Sequence, residues 1–289
     1  MQVQPNTDGS VTLHQASYID KMAKLYLGTH SNMKSFKNPS RGDLPELVEA
    51  ALGPDAEPPT AEQVTSFQSF IGALLYAAVS TRPDIAYPVG MLCRAMAKPT
   101  PELFAAAEQV LIYLVGTKDI GVTFDASDTE PILSGRSDSN WATRHSTTGY
   151  IFSVFNGAIS WVCKKQPTIA LSSTEAEIVS ASASASEAVY LRTLLEELGF
   201  PQSEPTELRV DNQGVVFAAT YPGHSHTKMK HVERRHFFVR ELVQNGKLNV
   251  TYISTDDNVA DIFTKPLATK RFKELRDKAM NIKQRTPST

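Results

Sequence analysis

The sequence is poor in cysteine and contains no long apolar run, and both features narrow the kinds of protein it can encode. Its only cysteines, Cys93 and Cys163, lie far apart and lack CxxC spacing. A disulfide-stabilised secreted scaffold or a zinc site is therefore not expected, and the chain is predicted to be intracellular. The longest apolar stretch, around residues 71–79, is about half as long as a membrane-spanning helix, so no membrane association is expected. The first ten residues lack the basic and apolar regions of a signal peptide.

A strong excess of positive charge is also missing. The 29 Lys and Arg residues are balanced by 31 Asp and Glu residues, so a nucleic-acid surface would have to be local. Residues 228–240 and the end of the chain from Lys265 onward are locally basic. Each segment is either a solvated helix face or a phosphate-facing surface. In the first segment, the candidate nucleic-acid-binding residues are Lys228, Lys230, His231, Arg234 and Arg235.

The 289 residues have the composition of a globular protein and are enough for one large or two modest domains. Residues 1–130 are predicted to be mainly helical, with a polar, Pro- and Gly-rich linker or long loop at about 28–60. Three helical segments follow that linker, and a polar gap, DASDTEP, marks the predicted boundary near residue 130. Residues 131–289 form the second predicted domain.

The second predicted domain alternates strands and helices. Three strands come first, and the second and third are separated by Asn156-Gly157, a strong hairpin signal. A long helix beginning at Ser172 follows, and the remaining order is strand, helices, strand and a last basic helix. This order predicts an α/β fold in which a mixed five-stranded sheet is flanked by helices.

Four carboxylates occupy positions that this fold would bring to one edge of the sheet. Asp138 and Asp211 end predicted strands, Glu177 lies in the first turns of the long helix, and Asp261 follows the last strand. Glu175, two residues from Glu177, belongs instead to a Ser-x-x-Glu capping box, and its side chain points about 200° away on the helix.

Acids gathered at one edge repel each other unless cations neutralise them. Their hard oxygen ligands suit Mg²⁺, with Mn²⁺ as a substitute. Two such ions about 4 Å apart activate water and stabilise the leaving oxygen in phosphodiester cleavage. The pattern therefore predicts a two-metal site formed by Asp138, Glu177, Asp211 and Asp261.

Several long motifs resemble one family. The run SWVCKKQPTIALSSTEAEIVSAS, together with VDNQGVV, KHVERRHFFVRE and DNVADIFTKPL, resembles the ribonuclease H segment of copia-type retrotransposon Pol polyproteins. Upstream, YIDKMAKLYL and the run from FQSFIGALLYAAVS to IGVTF resemble the reverse transcriptase thumb and connection. The resemblance implies a ribonuclease H-like fold that hydrolyses the RNA strand of RNA–DNA hybrids, with the same four acids in the metal-binding positions.

The resemblance also defines what this chain lacks. The only adjacent aspartates, Asp256-Asp257, follow the last predicted strand, which is the wrong context for a polymerase metal site. The polymerase palm and fingers of the same polyprotein are therefore expected partners, and no polymerase activity is expected here. The family's first motif reads D-A-D-W, whereas this chain has Asn140 at the third position, and Trp141 and Trp161 are predicted to be core residues.

Two alternatives to an active hybrid nuclease follow from the same residues. One is a catalytically inactive, nucleic-acid-binding remnant of a Pol protein. The other is a different nuclease of the same fold, such as an integrase, although four carboxylates in this order fit ribonuclease H better than a three-acid site.

Overall fold

The computed structural model describes residues 1–28, 35–126, 130–141, 145–221 and 230–283, and for residues 230–234 and 236 it describes the backbone alone. Packing divides the chain into two compact units. Unit 1 comprises Met1–Phe124 together with Pro266–Thr289, and unit 2 comprises Asp125–Lys265. Among the described residues, no helix combines the length and the apolar character needed to cross a membrane.

The elements are numbered in chain order. The strands are β1 Gln2–Pro5, β2 Val11–His14, β3 Val122–Phe124, β4 Ser134–Asn140, β5 Thr147–Val154, β6 Gly157–Lys165, β7 Thr206–Val210 and β8 Leu248–Tyr252. The α-helices are α1 Ala16–Tyr26, α2 Leu44–Leu52, α3 Ala61–Ser80, α4 Ala86–Cys93, α5 Pro101–Gly116, α6 Ser173–Glu197, α7 Gln213–Thr220, α8 Lys230–Gln244 and α9 Thr269–Ala279. Short 3-10 helices span Pro83–Ile85 and Val259–Phe263.

Unit 1 pairs a small antiparallel sheet, in the order β1-β2-β3, with a helical core. The helices α3 and α5 were predicted, and both begin at threonine N-caps. Thr60 forms a full capping box with Gln63, and Thr100 accepts a hydrogen bond from the backbone N–H of Leu103. These bonds satisfy donors that the first helical turn leaves free.

The predicted linker at about 28–60 is wrong for part of its length, because it contains helix α2. Leu44, Val48 and Ala51 recur at helical spacing and are buried. Pro45 lies in the first turn, where its missing N–H costs nothing, and Gly53 follows the last turn. The breakers therefore delimit a short helix. Strands β1 and β2 also lie in a segment for which no strand was predicted.

Helix α9 packs within unit 1, whereas the sequence-based division grouped it with residues 131–289. A buried polar network accounts for this placement. Arg82 and Asp84 pair at 2.7 Å with both side chains fully buried. Tyr113 donates a hydrogen bond of 2.6 Å to Asp84, and the guanidinium of Arg276 in α9 lies 3.5 Å from the Tyr113 hydroxyl.

Unit 2 is built on a sheet in the order β6-β5-β4-β7-β8. The central strand β4 is antiparallel to β5 and parallel to β7, and β7 is parallel to β8. Helix α6 packs against β4 and β5, and α8 packs against α6 and α7. The predicted mixed five-stranded sheet flanked by helices is confirmed.

The hairpin between β5 and β6 turns one residue earlier than the Asn-Gly signal suggested. Phe155 and Asn156 have φ values of 52° and 59°, and Val154 pairs with Gly157. The two-residue turn is therefore Phe155-Asn156, with positive φ at both positions as a type I′ turn requires. In this register Phe155 packs against the core of unit 2, and its carbonyl accepts a hydrogen bond from the N–H of Asp125.

The core of unit 2 lies between the sheet and its helices. Most of its buried side chains come from β5, β7 and β8 and from α6, α7 and α8, and they include Phe152, Ala181, Leu191, Leu208, Val215, Val239 and Val250. Because β4 and β7 are parallel neighbours, their carboxyl ends reach the same edge of the sheet. That edge carries Asp138 and Asp211.

Candidate metal centre

Three of the four predicted acids come together at this edge. Asp138 lies near the end of β4, Asp211 directly follows β7, and Asp261 lies in the 3-10 helix Val259–Phe263. One carboxylate oxygen from each lies within 4.8 Å of the others. Asp138 and Asp261 are only 2% and 3% exposed, whereas Asp211 is half-buried. The three therefore form a largely buried cluster open to solvent on the side of Asp211.

Glu177, the fourth predicted acid, stands beside this cluster. Its Oε1 accepts hydrogen bonds from the backbone N–H of Ser139 at 3.1 Å and from the Ser139 hydroxyl at 2.9 Å. Its Oε2 is buried and has no hydrogen-bond partner among the residues that the structure describes. Burial, and then the negative charges of Asp138 and Asp211, raise the pKa of Glu177 to about 9. The charges of the cluster therefore act on the Glu177 carboxylate, while its hydrogen bonds to Ser139 hold it against β4.

The predicted difference between Glu175 and Glu177 follows from their helix positions. Glu175 is engaged at the start of α6, where its N–H donates to the Ser172 hydroxyl at 3.1 Å. Its carboxylate accepts from the N–H of Leu171 at 2.7 Å. Glu175 is half-buried there, whereas Glu177 is buried and bonds to Ser139 at the sheet edge.

Hydroxyl groups orient two of the clustered carboxylates. Thr264, fully buried, donates a hydrogen bond to Oδ2 of Asp138. Thr255 donates to Oδ2 of Asp211 at 3.0 Å. Each hydroxyl therefore holds one oxygen of its carboxylate in place.

The segment that carries Asp261 is anchored to the sheet at two points. The side-chain amide of Asn258 donates to the carbonyl of Ser137 at 3.0 Å. Gly149, which pairs with Asp138 in the β4–β5 register, provides the second point. A Cβ atom at Gly149 would lie 2.5 Å from Cγ2 of Thr264 and 2.9 Å from Cβ of Phe263. The close approach therefore depends on the absence of a side chain at this position.

Lys265 places an ammonium group against the cluster. Its Nζ lies 2.8 Å from Oδ1 of Asp261 and 3.9 Å from Oδ2 of Asp138. Burial disfavours this charge, but the neighbouring carboxylates, Asp138 foremost, outweigh burial and raise the pKa of Lys265. The sequence-based interpretation grouped Lys265 with the basic residues of the last helix, whereas it precedes α9. Its i, i+4 spacing from Asp261 was the signal that could have revealed the pair.

The electrostatics of the cluster favour a bound cation. Burial, reinforced by Asp261 and Asp211 and opposed by Lys265 and Thr264, raises the pKa of Asp138 to about 7. The donor set consists of carboxylate oxygens, which suit hard divalent ions. Oε2 of Glu177 also has no protein donor among the described residues. Together, these carboxylate oxygens fit a divalent metal ion.

The predicted nucleic-acid-binding residues are only partly visible. Lys228 lies outside the described residues. Lys230, His231 and Arg234 lie in α8, but their side chains also lie outside the described part. Arg235 is half-buried on the same helix. A phosphate-binding role for these residues remains a prediction.

The prediction that Trp141 belongs to the core is wrong. Its side chain is 51% exposed, and its indole N–H donates to the carbonyl of Ala170 at 3.0 Å. The neighbouring Ile169 and Leu171 are also exposed. Trp141 lies one residue beyond β4, so the in–out alternation of the strand no longer determines its burial. Trp161 in β6 is half-buried.

No protein-family model matches the chain. A comparison of its sequence with those of known proteins does find relatives. The retrovirus-related Pol polyprotein from transposon TNT 1-94 of Nicotiana tabacum is 34% identical over 274 residues, which are 93% of this chain and 20% of that protein. The corresponding polyprotein from transposon RE2 of Arabidopsis thaliana is 38% identical over 223 residues, 76% of this chain and 15% of that protein. The chain thus spans one fifth or less of the length of these relatives.

Among solved structures, ribonuclease H1 from the halophilic archaeon Halobacterium salinarum is similar to this chain. The similar region covers 46% of this chain and 93% of the archaeal one. The identity is 18% and the TM-score is 0.35. At that level the likeness adds nothing to the functional interpretation, which depends on the clustered acids and on the sequence relatives.

Proposed function

Because the chain belongs to the family of copia-type retrotransposon Pol polyproteins, we propose that unit 2 is a metal-dependent nuclease that hydrolyses the RNA strand of RNA–DNA hybrids. The observation that carries the proposal is the convergence of three carboxylates within 4.8 Å at one sheet edge. Such a cluster is costly to bury unless cations neutralise it.

In this proposal, Asp138, Asp211 and Asp261 hold Mg²⁺, with Glu177 completing the set. Two ions of this kind, when bound, activate a water molecule and stabilise the leaving oxygen of the phosphodiester. Mn²⁺ is the expected substitute, since it accepts the same oxygen ligands.

The protein's own groups prepare this site. Thr264 and Thr255 each hold one oxygen of an aspartate, and Ser139 holds Oε1 of Glu177. Fixed ligands lower the cost of ordering the site when substrate and ions bind. Asp211 is half-buried, and a phosphodiester can reach the cluster from the side on which Asp211 is exposed to solvent.

The substrate preference and the partners belong to the proposal as well. A hybrid-specific enzyme distinguishes its substrate by duplex shape and by 2′-hydroxyl groups more than by sequence. Lys228, Lys230, His231, Arg234 and Arg235 are proposed to contact phosphates. Unit 1 is proposed to correspond to the reverse transcriptase thumb and connection, with the palm and fingers supplied by the rest of a polyprotein.

The test is cleavage of a hybrid labelled on its RNA strand by the purified full chain, with Mg²⁺ and with a chelator. Asp138→Asn and Asp211→Asn should abolish cleavage, because each removes a charged ligand. Glu197→Gln is the matched control, since Glu197 is an exposed acid at the far end of α6. Cleavage by a folded Asp211→Asn variant would refute the assignment of this site.

Two other outcomes point to the alternatives. A folded chain that binds hybrid and metal without cleaving would support an inactive remnant. Cleavage confined to double-stranded DNA would support a different nuclease of the same fold.

A further inference from the structure

Lys265 is a positive charge at the place where the proposed metal ligands meet. Its Nζ lies 2.8 Å from Oδ1 of Asp261, within direct hydrogen-bond and ion-pair distance. The same Nζ is 3.9 Å from Oδ2 of Asp138. One ammonium group therefore faces two of the three clustered carboxylates.

Lys265 differs in charge from the hydroxyl groups that bond to the other two clustered carboxylates. Oδ2 of Asp138 is already engaged by the hydroxyl of Thr264, and Oδ2 of Asp211 by that of Thr255. Hydroxyl donors are neutral, so they orient a carboxylate without cancelling its charge. Lys265, by contrast, neutralises one charge of the cluster and competes directly with any cation for Asp261.

The side chain of Lys265 is also able to leave. It is 33% exposed, whereas those of Asp138 and Asp261 are 3% and 5% exposed. An ammonium group on a flexible four-carbon stem is strongly hydrated and can be transferred to water by rotation of its side chain alone. The aspartates cannot move in the same way, because the Asn258–Ser137 hydrogen bond and the close packing at Gly149 hold their segments.

We propose that Lys265 is an internal counter-ion that occupies Asp261 in the metal-free protein and withdraws to solvent when a divalent cation binds. The inference depends on the proposed function only in assuming that these acids bind a metal. It assigns to Lys265 a role in keeping the buried acid cluster folded before metal and substrate arrive. It also sets metal affinity, since each binding event must first break the Lys265–Asp261 pair.

The main test measures Mn²⁺ binding to the full chain by electron paramagnetic resonance, without nucleic acid and at constant pH and ionic strength. Lys265→Met should bind Mn²⁺ about fivefold or more tightly than the wild type, because the competing charge is gone. Lys247→Met is the matched control, since Lys247 is an exposed lysine of the same unit, immediately before β8, and its loss should leave affinity unchanged. The metal-free Lys265→Met protein should also melt at a lower temperature and gain more from saturating Mn²⁺.

A second measurement needs no substitution. Acetylation of the wild-type protein, followed by peptide mass spectrometry, should label Lys265 faster with Mg²⁺ than with a chelator, whereas labelling of Lys247 should not change. If Lys265→Met does not fold, this measurement alone decides the question.

The outcomes separate the two proposals. If the wild type binds no Mn²⁺ and gains no stability from it, the metal site itself is refuted. If the wild type binds Mn²⁺ but Lys265→Met binds it no more tightly, or Lys265 labelling does not rise with Mg²⁺, the counter-ion role is refuted and the site stands. Unchanged metal affinity with weakened hybrid binding would assign Lys265 to a substrate phosphate instead.

Discussion

Replacing Gly149 by alanine tests whether the acid cluster depends on the close approach between β5 and the 3-10 helix. The added methyl carbon would lie 2.5 Å from Cγ2 of Thr264, 2.9 Å from Cβ of Phe263 and 3.2 Å from the carbonyl oxygen of Ala260. Non-bonded carbons pack best at about 3.5–4.0 Å. The 3-10 helix or β5 must therefore move by roughly 1 Å to accept the substitution.

That movement has two consequences of different size. Overpacking of a buried contact lowers the free energy of unfolding by about 1–3 kcal/mol. The same shift carries Thr264 away from Asp138 and Asp261 away from Asp211, because both moving residues belong to the displaced segment. A displacement of about 1 Å at a catalytic group can reduce the rate about 100-fold. Activity and metal affinity are therefore expected to fall more than stability.

Urea denaturation followed by tryptophan fluorescence measures this stability within unit 2, since both tryptophans, Trp141 and Trp161, lie there. Mn²⁺ affinity and hybrid cleavage are measured on the same sample. Gly72→Ala is a useful control, because a Cβ atom there meets nothing within 4 Å. Gly72 is exposed on α3 in unit 1, so this change should leave the tryptophan-reported stability of unit 2, the Mn²⁺ affinity and the cleavage unchanged. Wild-type stability and wild-type Mn²⁺ affinity in Gly149→Ala would refute this account of the packing.

Three further outcomes are expected. Metal-free protein should lose thermal stability as pH rises from about 4 through about 9, because Asp138 and Glu177 have raised pKa values in the folded state and their protonated forms favour folding. Asp138→Asn should reduce the loss between about pH 4 and 7 and leave the part due to Glu177, and an unchanged melting profile would contradict the assignment. Thr264→Val should lower the free energy of unfolding by about 1–3 kcal/mol and weaken metal binding, because it leaves a carboxylate oxygen of Asp138 without its donor. Thr264→Ser keeps the hydroxyl and should retain the wild-type metal affinity, measured by Mn²⁺ titration. Trp141→Ala should raise the KM for hybrid severalfold without changing Mn²⁺ affinity, since its exposed ring offers a stacking surface beside β4; an unchanged KM would exclude that contact.

Much of the site could be predicted because it follows from strand order. Asp138 and Asp211 come at the ends of strands that the alternating pattern identifies, and parallel neighbours bring such ends to one edge. Glu177 could be separated from Glu175 by helix geometry alone. These inferences need only the local periodicity of the chain and the topology of the sheet.

The residues that adjust the site could not be found in this way. The importance of Gly149 arises from a contact with a segment more than one hundred residues later, and the Lys265–Asp261 pair was obscured by a run of basic residues. Trp141 was misassigned because burial changes abruptly where a strand ends. Helix α2 was missed because its flanking Pro45 and Gly53 were interpreted as signs of a loop, although those residue types also begin and end helices.

The energetics of the cluster bear on whether it is a working site or a remnant. Gathering Asp138, Asp211 and Asp261 within 4.8 Å opposes folding, as the raised pKa of Asp138 indicates. Relief would require only a small retreat of the 3-10 helix, yet that helix is held by the Asn258–Ser137 hydrogen bond and by packing against Gly149. A fold that retains both restraints keeps its acids together against their own repulsion. Lys265 and protonation of Asp138 offset part of that repulsion in the metal-free protein, and a bound divalent cation would offset more. The geometry therefore supports a site that still binds metal, and the affinity of the wild-type chain for Mn²⁺ is the measurement on which this conclusion depends.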